Sequence, residues 1–132
     1  MLENKIIDAV LQVGGDATNY KQNVLKISTT KEDVLACATS RYAPAAVFNN
    51  VLQILTNSAD SYCFIGKPCD ISGIKNFLNA YPQYKERFIF FISIVCAGMP
   101  SFNATQDAID SFGTAQNPVT DLVYRGNGWP GY

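Results

Sequence analysis

Residues 62–78 read YCFIGKPCDISGIKNFL, and this stretch decides the fold. Tyr62 to Ile65 form the short apolar run of a buried strand, and the Gly-Lys-Pro-Cys segment that follows is typical of a tight loop. Asp70 is predicted to be the N-cap of a helix whose apolar residues recur every three or four positions. The stretch therefore predicts a strand, a tight loop and a helix in succession.

The same alternation of elements extends in both directions. The run Phe88 to Val95 is almost unbroken in its apolar character, which is typical of a strand buried on both faces. Further strands are predicted at Ile6 to Val13, Asn23 to Thr29 and Val119 to Tyr124. Strands that alternate with helices predict an α/β fold: a mixed, partly parallel sheet flanked by helices, in a single compact domain over residues 1–132.

Three further helices complete the pattern. Thr30 and Asp33 have the spacing of a capping box and open a short helix through Ala38. Pro44 suits the first turn of the next helix, which is predicted to end near Asn57. Apolar stripes mark the core-facing sides of this helix (Val47, Val51, Ile54, Leu55) and of a last one (Phe102, Thr105, Ala108, Ile109, Phe112).

Composition excludes several classes of protein. With 48% hydrophobic and 16% charged residues, 132 residues can build one core. The net charge of −1 and the lack of a basic run argue against a nucleic-acid partner. The sequence has no apolar stretch of the length that a membrane span needs and no signal peptide at its start, so we expect a cytoplasmic protein.

Cysteine and histidine usage limits the possible chemistry. The four cysteines are irregularly spaced and form no Cys-x-x-Cys pair, so reduced thiols are expected. Histidine is absent, which removes the usual general base and the commonest zinc ligand. Any chemistry would therefore need a bound cofactor.

Two loops are expected at one edge of the sheet, namely 66–69 and 96–101. Parallel strands would place both loops at their carboxyl ends, where open α/β sheets bind ligands and where helix N-termini favour phosphates. Lys67 would add positive charge, and Cys69 and Cys96 would lie nearby as thiolates able to bind a metal. Each signal also has a simpler interpretation: Cys69 and Cys96 as core fillers, which is the interpretation favoured for Cys37 and Cys63, Lys67 as a solvated charge, and residues 40–42 as a helix-end cap.

The motifs taken together resemble the coenzyme F420 hydrogenase/dehydrogenase beta-subunit family. Their order and spacing match it across nearly the whole chain. They are Ile6-Ile7-Asp8-Ala9, Ser40-Arg41-Tyr42, Gly66-Lys67-Pro68-Cys69-Asp70, Cys96-Ala97-Gly98-Met99-Pro100-Ser101 and Arg125-Gly126-Asn127-Gly128-Trp129.

The resemblance implies FAD and a 4Fe-4S cluster, with electrons passing between them and a hydride carrier such as a deazaflavin coenzyme. It implies Cys69 and Cys96 as two of the four cluster thiolates. The other two would come from a downstream Cys-x-x-Cys that these 132 residues do not contain, and the family's frequent N-terminal ferredoxin-like module is missing too. The cofactor-binding positions that it implies are Ser40, Arg41, Tyr42, Gly66, Lys67, Pro68, Asp70, Arg125, Gly126 and Trp129.

Three hypotheses follow for function. The chain is expected to be part of an electron-transfer subunit with a redox partner protein and a small-molecule hydride carrier, because the cofactors would do the chemistry. Alternatively, it is a non-catalytic folded fragment that binds no cofactor alone. A third possibility is an enzyme without redox cofactors, for which no nucleophile and base can be named. A truncated sheet could also form a homodimer that covers its exposed edges.

Overall fold

The computed structural model describes residues 1–19, 21–112, 119, 122 and 124. Four strands and four α-helices, with one 3-10 helix, occupy this part of the chain. In chain order they are β1 (Ala9–Gly15), β2 (Asn23–Ser28), α1 (Lys31–Ala36), α2 (Val51–Asn57), β3 (Tyr62–Gly66), α3 (Pro68–Ala80), the 3-10 helix (Pro82–Arg87), β4 (Phe88–Ser93) and α4 (Phe102–Ser111).

The strands form one sheet in the order β2-β1-β3-β4. Strand β1 pairs antiparallel with β2 and parallel with β3, and β3 pairs parallel with β4. The prediction of a mixed, partly parallel sheet flanked by helices is confirmed. Because β1, β3 and β4 run in the same direction, their carboxyl ends meet at one edge, where Gly66 pairs with Ser93.

The larger part of the core lies between the sheet and helices α2 and α3. Tyr62 and Phe64 of β3 are each 1% exposed there. The other buried members of this cluster are Ala9, Leu11, Val51, Leu55, Ile74, Leu78 and Phe88. A smaller cluster of Ile7, Val10 and Cys63 lies on the opposite face, so β1 and β3 are the strands covered on both faces.

The prediction that the Phe88 to Val95 run is buried on both faces is wrong. Ile89 and Ile92 are both 44% exposed and Val95 is fully exposed. Strand β4 lies at the end of the sheet with β3 as its neighbour, and only Phe88 of its six residues is buried. An unbroken apolar run therefore marks β4 without revealing how much of it is covered.

Two helices begin at residues other than those predicted from the sequence. Helix α2 begins at Val51, well after Pro44, because Asn50 is left-handed at φ 65° and residue 45 is held in a bridge to Asn23. Helix α3 begins at Pro68, so Asp70 is its third residue instead of its N-cap. By contrast, the capping box is confirmed: Thr30 Oγ1 accepts from the Asp33 N–H at 3.1 Å.

The elements near the two ends of the described chain also differ from the prediction. Strand β1 begins at Ala9 instead of Ile6, since the residues before it turn back through Lys5 at φ 52°. On α4 only Thr105 and Ile109 of the predicted apolar stripe are buried. The predicted strand from Val119 to Tyr124 lies largely outside the described residues.

Asp8 ties the start of β1 to the loop before β3, and it should make stability depend on pH. Its Oδ2 accepts from the Ser61 N–H at 2.8 Å and from the Ser61 hydroxyl at 2.7 Å. These hydrogen bonds hold the pKa of Asp8 below its usual range. The stabilisation is then present above the unfolded-state pKa of about 3.9 and is lost as pH falls through the lower folded-state pKa.

We therefore expect Asp8→Asn to flatten the fall in unfolding free energy as the pH drops below about 4. Urea unfolding at a series of pH values measures this slope. Glu3→Gln removes one negative charge from the same terminal region and serves as the control. Equal slopes for Asp8→Asn and the unmutated chain would contradict the assignment.

Candidate functional site

The loop between β3 and α3 is closed by the side chain of Asp70. Asp70 Oδ2 accepts from the Lys67 N–H at 2.9 Å and lies 2.7 Å from Lys67 Nζ. A Cβ on Gly66 would lie 2.9 Å from the Asp70 Cβ, so the close return of the helix requires a glycine. The Gly-Lys-Pro-Cys-Asp motif thus has a structural role, and the Lys67 charge is paired.

A first cavity opens at the carboxyl ends of β1 and β3. We call it the edge cavity; its volume is about 340 Å³, within the range of small-molecule sites. Most of its side chains are apolar, and its lining includes four predicted cofactor residues: Arg41, Gly66, Lys67 and Asp70. Its other lining residues are Gln12, Val13, Val34, Cys37, Ala38, Thr39, Ala43, Ala45, Ile65, Ile94 and Met99.

A second cavity lies beside it, between the β1–β2 hairpin and α1. We call it the hairpin cavity; its volume is about 510 Å³. Polar and charged side chains dominate its lining, in contrast to the edge cavity. It is lined by Gly15, Asp16, Ala17, Thr18, Lys26, Ile27, Ser28, Asp33, Ala36, Cys37 and Arg41.

Arg41 belongs to the lining of both cavities. Its Nε is buried and has no hydrogen-bond partner within the described part of the chain. A Cβ on Gly15 would lie 2.7 Å from Arg41 Nη1, so the guanidinium lies directly against the end of β1. A buried donor without a partner is costly, and an anionic ligand would supply one.

Other predicted cofactor residues lie away from both linings. Ser40 and Tyr42 flank Arg41 but do not line either cavity, and the Tyr42 ring packs edge-on against Tyr124 at 5.4 Å. Pro68 is the first residue of α3 and does not line them either. Arg125, Gly126 and Trp129 lie outside the described residues, so their assignment stays a prediction.

Cys69 and Cys96 occupy matched positions on the sheet edge. Each lies three residues beyond one member of the paired strand ends Gly66 and Ser93, and both are exposed. Within residues 1–19 and 21–112, no group of three or more Cys, Asp or Glu is arranged to hold a metal ion. The described residues therefore offer two thiols and not a complete four-thiolate site.

The other two cysteines differ from each other. Cys63 is 1% exposed in the smaller core cluster, and burial raises the pKa of its thiol. Cys37 is half-buried and lines both cavities. Sequence reasoning grouped the two as core fillers, and this holds for the position of Cys63 only.

Two parts of the site were missed. The alternating pattern of the predicted Asn23 to Thr29 strand places Lys26 on the solvent side. The residues around it in the sequence do not indicate that it lines a cavity. Gly14 and Gly15 directly follow the predicted strand from Ile6 to Val13. Two adjacent glycines at the carboxyl end of a strand were the available signal, because they permit close approach of other groups to the backbone.

Comparison with known proteins identifies the family. Residues 1–53 match the family described as the N-terminal part of the coenzyme F420 hydrogenase/dehydrogenase beta subunit. Residues 59–132 match the family described as the C terminus of the same coenzyme F420 hydrogenase/dehydrogenase beta subunit. A search of curated proteins found no match.

A solved structure has a similar fold. It is a chain of the F420-reducing nickel-iron hydrogenase complex from Methanosarcina barkeri, determined after xenon derivatization, with a TM-score of 0.74 and 18% identity. The match covers 96% of this chain and 48% of that one, so this chain spans about half the length of the solved chain. No helix among the described residues is long and apolar enough to cross a bilayer.

Together the two family matches account for almost every residue from 1 to 132, and both name the same kind of subunit. The chain belongs to the coenzyme F420 hydrogenase/dehydrogenase beta-subunit family.

Proposed function

We propose that this chain forms part of the flavin site of an electron-transfer subunit, with the flavin ring in the edge cavity. One observation carries the proposal: a mostly apolar cavity at the carboxyl edge of a partly parallel sheet, in a chain of this family. Flat aromatic rings bind in such cavities, and a few polar groups fix their orientation. Bound FAD would accept or give a hydride and pass on single electrons.

The residues of the edge cavity suit a flavin ring. Val13, Ile65 and Ile94 offer apolar surface to the faces of a ring, and they exclude water from it. The Lys67–Asp70 pair supplies a donor and an acceptor close together for the polar edge of a ring. Arg41 is placed at the side that adjoins the hairpin cavity, and its unpartnered Nε suits an anionic part of the cofactor.

The wider activity follows from the family and is part of the same proposal. The chain would act in the cytoplasm with a redox partner protein, and a deazaflavin coenzyme or a similar small molecule would be the hydride carrier. Cys69 and Cys96 remain the predicted thiolates of a 4Fe-4S cluster. The described residues alone do not provide a complete cluster site.

Riboflavin binding tests the placement of the ring, since riboflavin has the ring without any phosphate. Ile94→Asp places a charge in the apolar cavity at a residue that is 50% exposed, so the fold should tolerate it. We expect Ile94→Asp to weaken riboflavin binding by about tenfold or more, because an unpaired charge is costly against an apolar ring. Quenching of flavin fluorescence measures the affinity.

Ile89→Asp is the matched control. Ile89 is 44% exposed on β4, the strand that directly precedes Ile94, but it lines neither cavity, so riboflavin affinity should be unchanged. Absence of riboflavin and FAD binding by the unmutated chain would favour the alternative, a folded fragment that binds no cofactor alone. An equal effect of the two aspartate variants would also count against the edge cavity.

A further inference from the structure

The hairpin cavity is lined by two cations, Lys26 and Arg41. Within the described residues, the Lys26 ammonium makes no hydrogen bond or ion pair and acts on Asp16 only through space. Arg41 likewise has a buried Nε with no acceptor among them. Two positive groups that face one cavity favour a bound anion.

The carboxylates of the same cavity are already engaged. Asp16 Oδ1 accepts from the Thr18 N–H at 2.7 Å and from its hydroxyl at 2.6 Å. Asp33 Oδ2 accepts from the N–H groups of Thr29 and Thr30, at 3.3 and 3.1 Å. These hydrogen bonds hold the turn at Asp16 and the start of α1 at Asp33. Neither carboxylate forms an ion pair with Lys26 or Arg41.

The glycine pair at the end of β1 sets the positions of the two cations. A Cβ on Gly14 would lie 2.7 Å from Lys26 Cγ and 2.8 Å from Cys37 Sγ. A Cβ on Gly15 would meet the Arg41 guanidinium at 2.7 Å. The lysine stem and the guanidinium therefore pack closely against the backbone at the end of β1, beside the cavity.

We propose that the hairpin cavity binds a phosphate or diphosphate group through Lys26 and Arg41. Phosphate oxygens accept bidentate hydrogen bonds from a guanidinium and pair with a lysine ammonium as a point charge. The group has two possible sources: the diphosphate of a dinucleotide flavin whose ring lies in the edge cavity, or a separate phosphate-bearing molecule. The inference deepens the proposed function and rests on it only for the first source.

Binding of inorganic pyrophosphate, followed by isothermal titration calorimetry, tests the cavity directly. We expect Lys26→Met to weaken binding by about tenfold, because it removes one charge-assisted hydrogen bond to the ligand. Lys31→Met is the matched control: Lys31 is exposed at the start of α1, does not line the hairpin cavity, and should leave the affinity unchanged. Circular dichroism establishes that both variants are folded.

Two results would overturn the proposal. They are the absence of pyrophosphate binding by the unmutated chain, and equal affinities for Lys26→Met and Lys31→Met. Failure of this inference and failure of the flavin site are distinguishable. Binding of riboflavin but not of pyrophosphate would contradict only the phosphate site in the hairpin cavity. Binding of pyrophosphate but not of riboflavin would contradict only the placement of the flavin ring in the edge cavity.

Competition identifies the source of the phosphate. If saturating FAD blocks pyrophosphate while saturating riboflavin does not, the diphosphate belongs to the flavin. If pyrophosphate still binds the FAD-loaded protein and remains sensitive to Lys26→Met, the cavity takes a separate phosphate-bearing molecule. Both results support an anion site at Lys26 and Arg41.

Discussion

Replacing Phe64 by alanine is expected to lower the free energy of unfolding by about 3–5 kcal/mol. Phe64 is 1% exposed at the centre of the larger core cluster, among residues from β1, α2 and α3. Its ring also lies close to the edge cavity, because a Cβ on Gly66 would lie 3.0 Å from Phe64 Cε1. Truncation would leave a cavity directly beneath the loop that begins α3.

Urea unfolding followed by circular dichroism measures the loss. Phe64→Leu retains most of the apolar volume and should cost clearly less, which keeps the test informative even if Phe64→Ala does not fold. Ile89→Ala removes an exposed apolar side chain from the neighbouring strand and should change stability by less than about 1 kcal/mol. A loss below about 1 kcal/mol for Phe64→Ala would show that the described core does not depend on this ring.

The order of the elements could be predicted because each one carries a local signal. The run Tyr62 to Ile65, the glycine after it and the apolar spacing beyond Asp70 indicate β3, the loop and α3 without knowledge of the rest of the chain. The capping box at Thr30 and Asp33 is equally local. The helix between β3 and β4 permits their parallel pairing, since parallel neighbours need a crossover connection, and the structure shows that pairing.

Burial could not be predicted in the same way. The run Phe88 to Val95 is more apolar than β3, yet β4 is the exposed strand because it lies at the end of the sheet. Position in the sheet depends on pairings across the whole chain, which hydrophobicity along one strand does not encode. The same limit applies to α4, where Phe102 and Phe112 fit the apolar stripe but remain exposed.

The site was predictable where its residues follow directly after strands. Gly66 and Lys67 belong to the loop after β3 that is expected to bind a ligand, Asp70 is a position that the family resemblance implies, and all three line the edge cavity. Lys26 and Cys37 come from β2 and from the end of α1, and both meet Gly14 of β1, which pairs antiparallel with β2. Contacts of this kind appear only in the folded chain.

Arg87 illustrates how a residue in a charged stretch of sequence can hold the fold together. Its guanidinium donates to the Asp60 carbonyl at 2.8 Å and to the Leu55 carbonyl at 2.6 Å. It also donates to the Ser58 hydroxyl at 3.0 Å and lies 5.3 Å from the centre of the Tyr62 ring. One side chain thereby links the end of α2 and the following loop to the start of β4.

We expect Arg87→Ala to lower the free energy of unfolding by about 2–4 kcal/mol, because it leaves two partly buried carbonyl groups without donors. Arg87→Lys should recover less than half of the loss, since a single ammonium cannot reach acceptors in three directions. Lys85→Ala, an exposed change in the same 3-10 helix, is the control and should cost less than about 0.5 kcal/mol. Equal stabilities for Arg87→Lys and the unmutated chain would show that charge, and not the fork of donors, is what matters at this position.

The same variant separates stability from ligand binding. Arg87 lies at the amino ends of β3 and β4, whereas both cavities adjoin the carboxyl end of β1. Well below its unfolding midpoint, Arg87→Lys should therefore bind riboflavin and pyrophosphate with unchanged affinity, although it unfolds at a lower urea concentration. A parallel loss of affinity and stability would mean that the cavities depend on the whole sheet, because a local change at the opposite edge would then have been transmitted through β3.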